Sequence, residues 1–176
     1  MRVLETDRLA IRLMSTDDAE FMLQLLNEPS WLHFIGDRGV RTVDDARNYI
    51  MNGPIAMYAR LGFGFYIVEL KDGGIPIGIC GLVKRDFLDD VDIGYALLPQ
   101  YWAKGYAYEA ASAVMDYGTS ALGLKRLAAI TSSDNQRSAR VLEKLGMRYE
   151  RMVAYPDSGE EVRLFAFEDS PEAKNR

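Results

Sequence analysis

The chain has 176 residues, 48% hydrophobic and 27% charged, which suits one domain with a real core at roughly 100–200 residues per domain. Its 21 Lys and Arg against 26 Asp and Glu give a formal charge of −5, which argues against the basic footprint of a nucleic-acid binder. One cysteine and one histidine exclude an internal disulfide and a Cys/His metal site. No apolar run approaches the roughly 20 residues of a membrane span, and Glu5 comes too early for a signal peptide, so a cytoplasmic location is expected.

In chain order, Leu9-Ala10-Ile11-Arg12-Leu13 alternates with period two and predicts a half-buried strand. Ser15-Thr16-Asp17-Asp18 then reads as a helix start, with Phe21, Met22, Leu25 and Leu26 on one face and Pro29 as the stop. Trp31 to Arg41 is aromatic and punctuated by glycine. Thr42-Val43-Asp44-Asp45 opens a second helix, expected to end at Asn52-Gly53-Pro54. Phe63 to Leu70 and Ile75 to Lys84 are strand-like and flank the hairpin signal Asp72-Gly73-Gly74, and Val91 to Leu98 makes a further strand. The period then changes to 3.6, with Ala107, Ala110, Ala111, Val114 and Met115 on one face. A short strand, Leu127 to Thr131, leads to a helix capped at Asp134-Asn135 and closed by Gly146. Tyr149 to Tyr155 and Val162 to Phe167 form a last hairpin. This order predicts a mixed α/β (α+β) domain over residues 1–168. Its largely antiparallel sheet would have about six to seven strands with helices on both faces, and residues 169–176 would form a polar tail.

Chemistry concentrates between Leu97 and Ala110. A strand ends, a loop of small residues follows, and a helix begins near Ala107. Small residues at Ala103, Gly105 and Ala107 let backbone approach a ligand, and the free N–H groups of the loop and first turn favour an anion. A turn that binds nothing is the competing reading. One short strand later lies Asp134-Asn135-Gln136-Arg137-Ser138-Ala139-Arg140-Val141-Leu142-Glu143-Lys144-Leu145-Gly146-Met147. Residues 125–151 carry a local charge of +4, which suits a phosphate-rich ligand.

Together the two segments resemble the GNAT superfamily of acyl-CoA-dependent N-acetyltransferases. Trp102-Ala103-Lys104-Gly105-Tyr106-Ala107 is similar to the family's pyrophosphate loop, and the second segment to its Asn-x-x-(Ser/Ala)…Glu-Lys-x-Gly helix. Asp92-Ile93-Gly94-Tyr95 resembles the strand before that loop. Glu5-Thr6-Asp7-Arg8-Leu9 resembles the branch that holds the ribosomal-protein N-terminal acetyltransferases. The resemblance implies that the amides of Ala103, Lys104, Gly105, Tyr106 and Ala107 hold the CoA pyrophosphate. It also implies that main-chain groups near Ala96 and Leu97 bind the pantetheine, with Asn135 beside that arm, Lys144 on the cofactor side and Ser138 near the sulfur. Trp102 stands where the family usually has Arg or Gln, and Leu142 where many relatives carry a proton-donating tyrosine.

The resemblance further implies acetyl-CoA as co-substrate with no metal, and an amine acceptor that is a protein N-terminus or a small amine. From charge and hydropathy, neither nucleic acid nor membrane is expected as partner, and the chain is expected as a monomer or homodimer. Candidate bases are Asp92, Asp157 and Glu150, with a water relay as the alternative; Asp157 also suits a plain turn residue. Trp31, Phe34, Asp37 and Arg38 are candidate acceptor contacts, although Gly36-Asp37-Arg38-Gly39 also reads as a simple turn. His33 reads as a packed or surface histidine, and Cys80 as a buried inert thiol. The rival function is a catalytically silent acyl-CoA sensor or interaction module.

Overall fold

Eight strands form one sheet within residues 1–170, the residues described by this computed structural model. They are β1 (Arg2–Glu5), β2 (Leu9–Leu13), β3 (Phe65–Leu70), β4 (Ile75–Val83), β5 (Asp92–Leu97), β6 (Arg126–Ser132), β7 (Arg148–Ala154) and β8 (Glu161–Glu168). Their spatial order is β1-β2-β3-β4-β5-β6-β8-β7, antiparallel at every pairing except β5 with β6. The extra strand is β1, a four-residue edge element with a register shift between Arg2 and Leu4. Four residues carry too little alternation to announce a strand.

Both capping boxes form. Ser15 and Asp18 start a turn that leads into α1 (Ala19–Leu26), and Thr42 and Asp45 start α3 (Val43–Ile50). Of the two expected helix stops one holds, since α1 ends at Leu26, before Pro29, and one does not. Pro29 begins α2 (Pro29–Phe34), because at the first helical position its missing N–H costs nothing. After α3 the chain runs through one wider π-type turn, Met51–Ile55, into α4 (Ala56–Leu61), and ends at Gly62 with φ 79°. The π-type turn accommodates Pro54, which a regular helix interior would exclude. The remaining helices are α5 (Tyr106–Ser120) and α6 (Gln136–Lys144).

Strand alternation splits the core into two layers. Leu9, Ile11, Tyr66, Val68, Leu82 and Ile93 face α5 and α6, whose Ala110, Ala111, Val114 and Leu142 are buried. Ile67 and Ile79 face the other way, against Met22, Leu25, Trp31 and Ile50 of the first three helices. Each such fully buried side chain contributes about 1.5–3 kcal/mol against exposure. Of the expected polar tail, Asp169 still donates its N–H to the Lys125 carbonyl at 2.8 Å, and residues 171–176 lie outside the described residues.

One irregularity positions the site. β5 and β6 pair only at Asp92 and Ala128, where the Ala128 N–H meets the Val91 carbonyl at 2.9 Å. Beyond that point the two parallel strands part, leaving an open edge along the second half of β5.

Candidate active site

Two clefts meet where β5 and β6 part. One has a volume of about 940 Å³, the other about 640 Å³, and both are bordered by Tyr95, Ala96, Thr131, Ser132 and Ser138.

The smaller cleft gathers most of the expected cofactor residues: Ala96, Leu97, Trp102, Ala103, Gly105, Tyr106, Ala107, Asn135 and Lys144. Lys104 is the exception. Its ammonium lies 5.8 Å from the Tyr101 ring centroid, and it does not line the cleft. Ala103 is the one non-glycine residue of positive φ among those described, at 57°, and Gly105 follows at 83°. Holding alanine there costs on the order of 1 kcal/mol. With Gly105 as N-cap, no side chain satisfies the first N–H groups of α5. The loop therefore offers unpaired donors at a helix start, which fits a diphosphate.

The Trp102 indole N–H donates to the Leu97 carbonyl at 2.9 Å, and the Arg137 guanidinium stacks 4.3 Å above its ring. The aromatic substitute thus ties the loop to β5 on one side and to α6 on the other. Lys144 lies 4.2 Å above the Tyr108 ring in the same way. Of the +4 segment, Arg137, Arg140 and Lys144 line this cleft. Arg126 does not; it is engaged by Asp90, Glu150 and Glu168.

The strand edge corrects one expectation. The Leu98 N–H bonds the Ile77 carbonyl at 2.8 Å, and β4–β5 pairing runs without a shift. By alternation, the N–H and carbonyl of Ala96 also point at β4. A Cβ on Gly78 would lie 2.2 Å from the Ala96 oxygen, which agrees. The outward-facing amides are those of Tyr95 and Leu97, and the Leu97 carbonyl is already taken by Trp102. Ala96 lines both clefts but does not supply the edge hydrogen bonds.

Asn135 accepts the Ser138 N–H at 3.1 Å as the cap of α6. Ser138 borders both clefts, and its Oγ lies 3.1 Å from the Tyr95 hydroxyl, which also reaches the Ser138 carbonyl at 3.2 Å. Burial pushes the Tyr95 phenol up to about 12, so it stays protonated. Tyr95 is a site residue that the sequence alone does not single out. Its signal was only its place in Asp92-Ile93-Gly94-Tyr95. Leu142 is buried against α5 and the sheet and brings no hydroxyl to the site.

The larger cleft collects Trp31, Phe34, Asp37 and Arg38, together with Asp92, Asp157 and Ser138. Asp37 pairs with Arg41 at 2.5 Å and accepts the Gly39 N–H, so the expected turn is present beside the cleft. Asp157 stands exposed in the β7–β8 turn. Glu150 lines neither cleft and pairs with Arg126. His33 is exposed and meets Asp134 at 2.8 Å, joining α2 to the loop before α6. Cys80 is fully buried, and burial pushes its thiol well above its ordinary range.

Asp92 sits at the closed end of the opening, 1% exposed, with the Arg85 Nε 3.2 Å from both carboxylate oxygens. Arg85 in turn donates to the Tyr155 hydroxyl at 3.0 Å. Three residues of strand separate Asp92 from Tyr95, roughly 10 Å. Burial pushes the Asp92 carboxyl up to about 6, against the opposing pull of Arg85. A carboxyl raised from 3.8 holds its proton more tightly in the folded state. Its contribution is therefore complete below about pH 4 and lost as pH rises through about 6. Asp92→Asn is expected to flatten that part of a pH series of thermal melts; an unaltered slope would refute the assignment.

An open strand edge beside an anion loop, opening on a second cleft, is the arrangement an acyl-CoA-dependent transferase needs. The comparisons agree. Residues 8–148 match the acetyltransferase (GNAT) domain model, so the chain belongs to that family. It is 32% identical to the uncharacterized N-acetyltransferase YoaA of Bacillus subtilis over 154 residues, covering 86% of this chain and 85% of that protein. A GNAT-family acetyltransferase structure from Bacillus anthracis is 28% identical with a TM-score of 0.77, covering 96% and 98% of the two chains. RimL, the ribosomal L7/L12 alpha-N-protein acetyltransferase solved with coenzyme A, shares the fold at a TM-score of 0.81 and 17% identity, covering 96% and 98%. No helix among the described residues is long and apolar enough to cross a membrane.

Proposed function

We propose that the chain transfers the acetyl group of acetyl-CoA to a primary amine held with it in one ternary complex, without a covalent enzyme intermediate. The observation that carries this reading is the opposite charge of the two clefts at their shared border. Arg137, Arg140 and Lys144 outnumber Glu28 and Asp134 in the smaller one, whereas Asp37, Asp45, Asp157 and Glu160 outnumber Arg38, Lys84 and Arg85 in the larger. A polyanionic donor and a cationic acceptor are thereby drawn to opposite sides of Tyr95 and Ser138.

Acetyl-CoA supplies the activated acyl group and a leaving thiolate. The loop from Ala103 to Ala107, with Arg137, Arg140 and Lys144, binds its phosphates. The outward amides of Tyr95 and Leu97 orient its arm, and Ser138 presents a proton beside the sulfur. A thiol of pKa about 8.5 leaves without a strong acid, so a serine hydroxyl suffices. A peptide α-amine, near ~8, deprotonates more readily than a lysine near ~10.4, which favours a protein N-terminus over a lysine side chain. A small amine is the next choice. Asp92 acts on the amine through water, given its distance from Tyr95, and Asp157 draws the cationic acceptor to the mouth. A cytoplasmic location, where acetyl-CoA is available, goes with this reading.

Saturating acetyl-CoA is expected to raise the melting temperature, since ligand at 100 times its Kd stabilises the native state by about 2.7 kcal/mol. No shift would remove the reading. Leu142, which leaves the expected tyrosine position without a hydroxyl, favours a second reading, a silent acyl-CoA sensor. Stabilisation without thiol release across an amine panel would select it.

A further inference from the structure

The anion loop is braced by residues that line neither cleft. Thr6 Oγ1 donates to Glu109 Oε1 at 2.5 Å, and the Arg8 N–H donates to the same oxygen at 2.9 Å. Arg8 Nε reaches Glu109 Oε2 at 2.7 Å, and its Nη1 donates to the Lys104 carbonyl at 2.9 Å. The same guanidinium lies 4.4 Å above the Tyr106 ring, and a Cβ on Gly105 would come within 3.2 Å of its Nη2. The Thr6–Arg8 stretch thus reaches residues about a hundred positions away, at the start of α5.

Glu109 makes this contact matter. It lies in the first turn of α5, the helix whose open N-terminus faces the cofactor loop. A carboxylate there complements the free helix end, but it opposes a diphosphate seeking the same field. Burial pushes its carboxyl up, yet the hydrogen bonds of Thr6 and Arg8 win and hold it below the usual range, so it is charged at neutral pH. An uncancelled charge at roughly 8 Å from a phosphate costs about tenfold in affinity at an effective dielectric near 20, screening included.

We propose that Arg8 is a positioning residue for the CoA diphosphate: it cancels Glu109 at the start of α5 and pins the Lys104 carbonyl, turning the loop's N–H groups towards the cleft. This rests on the acetyl-CoA reading above. The N-terminal Thr-Asp-Arg stretch then belongs to the cofactor site without touching the cofactor.

The test is calorimetric binding of CoA, and of pantetheine as the probe lacking a diphosphate, to the full chain and four variants. Arg8→Met is expected to weaken CoA about tenfold and leave pantetheine unchanged. Glu109→Gln should bind CoA at least as tightly as the unaltered chain. The double variant should recover to within about threefold, because the offending charge is gone although the bond to Lys104 is not restored. Arg8→Lys, which keeps the charge and loses the fork, should fall between Arg8→Met and the parent. A double variant as weak as Arg8→Met would overturn the proposal. So would equal losses for CoA and pantetheine, the signature of a merely damaged fold. Failure of the unaltered chain to bind CoA would refute the acetyl-CoA reading itself, which the variant series cannot do.

Discussion

Gly105→Asp is expected to cost at least 100-fold in CoA affinity while the chain stays folded. Gly105 holds φ 83°, where an L side chain costs about 1–2 kcal/mol. Its Cβ would project towards Arg8, 3.2 Å from Nη2, so an aspartate there draws the guanidinium off Glu109 and adds a negative charge at the helix start. Repulsion and lost loop geometry act together, and a 100-fold loss corresponds to about 2.7 kcal/mol. Gly105→Ala separates the two causes, with about a tenfold loss expected from conformation alone. Titration with CoA, alongside a melt of the unliganded variant, measures both. Unchanged affinity in Gly105→Asp would show that the diphosphate sits elsewhere.

Ser138→Ala is expected to lower kcat by about 100-fold and to move the KM for acetyl-CoA by less than about threefold, the pattern of a proton donor used only in the transition state. The Tyr95 hydroxyl, 3.1 Å from Ser138 Oγ, is within hydrogen-bond reach of the oxygen that gives up that proton. With its own phenol up to about 12, Tyr95 stays protonated and available to that hydrogen bond. Its work passes through Ser138. Tyr95→Phe should therefore lower kcat by about tenfold, and the double variant should be no worse than Ser138→Ala. Wild-type rates in Ser138→Ala would clear it of a catalytic role, and additive losses would separate the two residues.

The contrast between what the sequence reveals and what it hides follows contact distance along the chain. Both capping boxes, the Asp72-Gly73-Gly74 turn and the small-residue loop at Gly105 are local, and each forms where its residues predict. Pro29 lies beyond the end of α1 as expected, but it also opens α2; Pro54 misleads because a π-type turn accommodates proline, and composition does not tell that from a stop. The edge strand β1 is too short to show its alternation. Within the site, the cofactor loop is legible because its backbone demands small residues. The Tyr95–Ser138 contact spans 43 positions and the Arg8–Glu109 contact 101; Tyr95 and Arg8 each stand in a motif of their own segment, but neither motif shows the distant partner. The net charge of −5 misleads in a similar way, since Arg137, Arg140 and Lys144 line one cleft and Asp37, Asp45, Asp157 and Glu160 the other.

The most direct test of the account is thiol release from acetyl-CoA against a panel of peptides with free N-termini and small amines, with mass spectrometry of the acceptor. CoA release in step with one added acetyl group on the amine is expected, slowed by about 100-fold in Ser138→Ala. Acetyl-CoA binding with no release for any amine in the panel would contradict it.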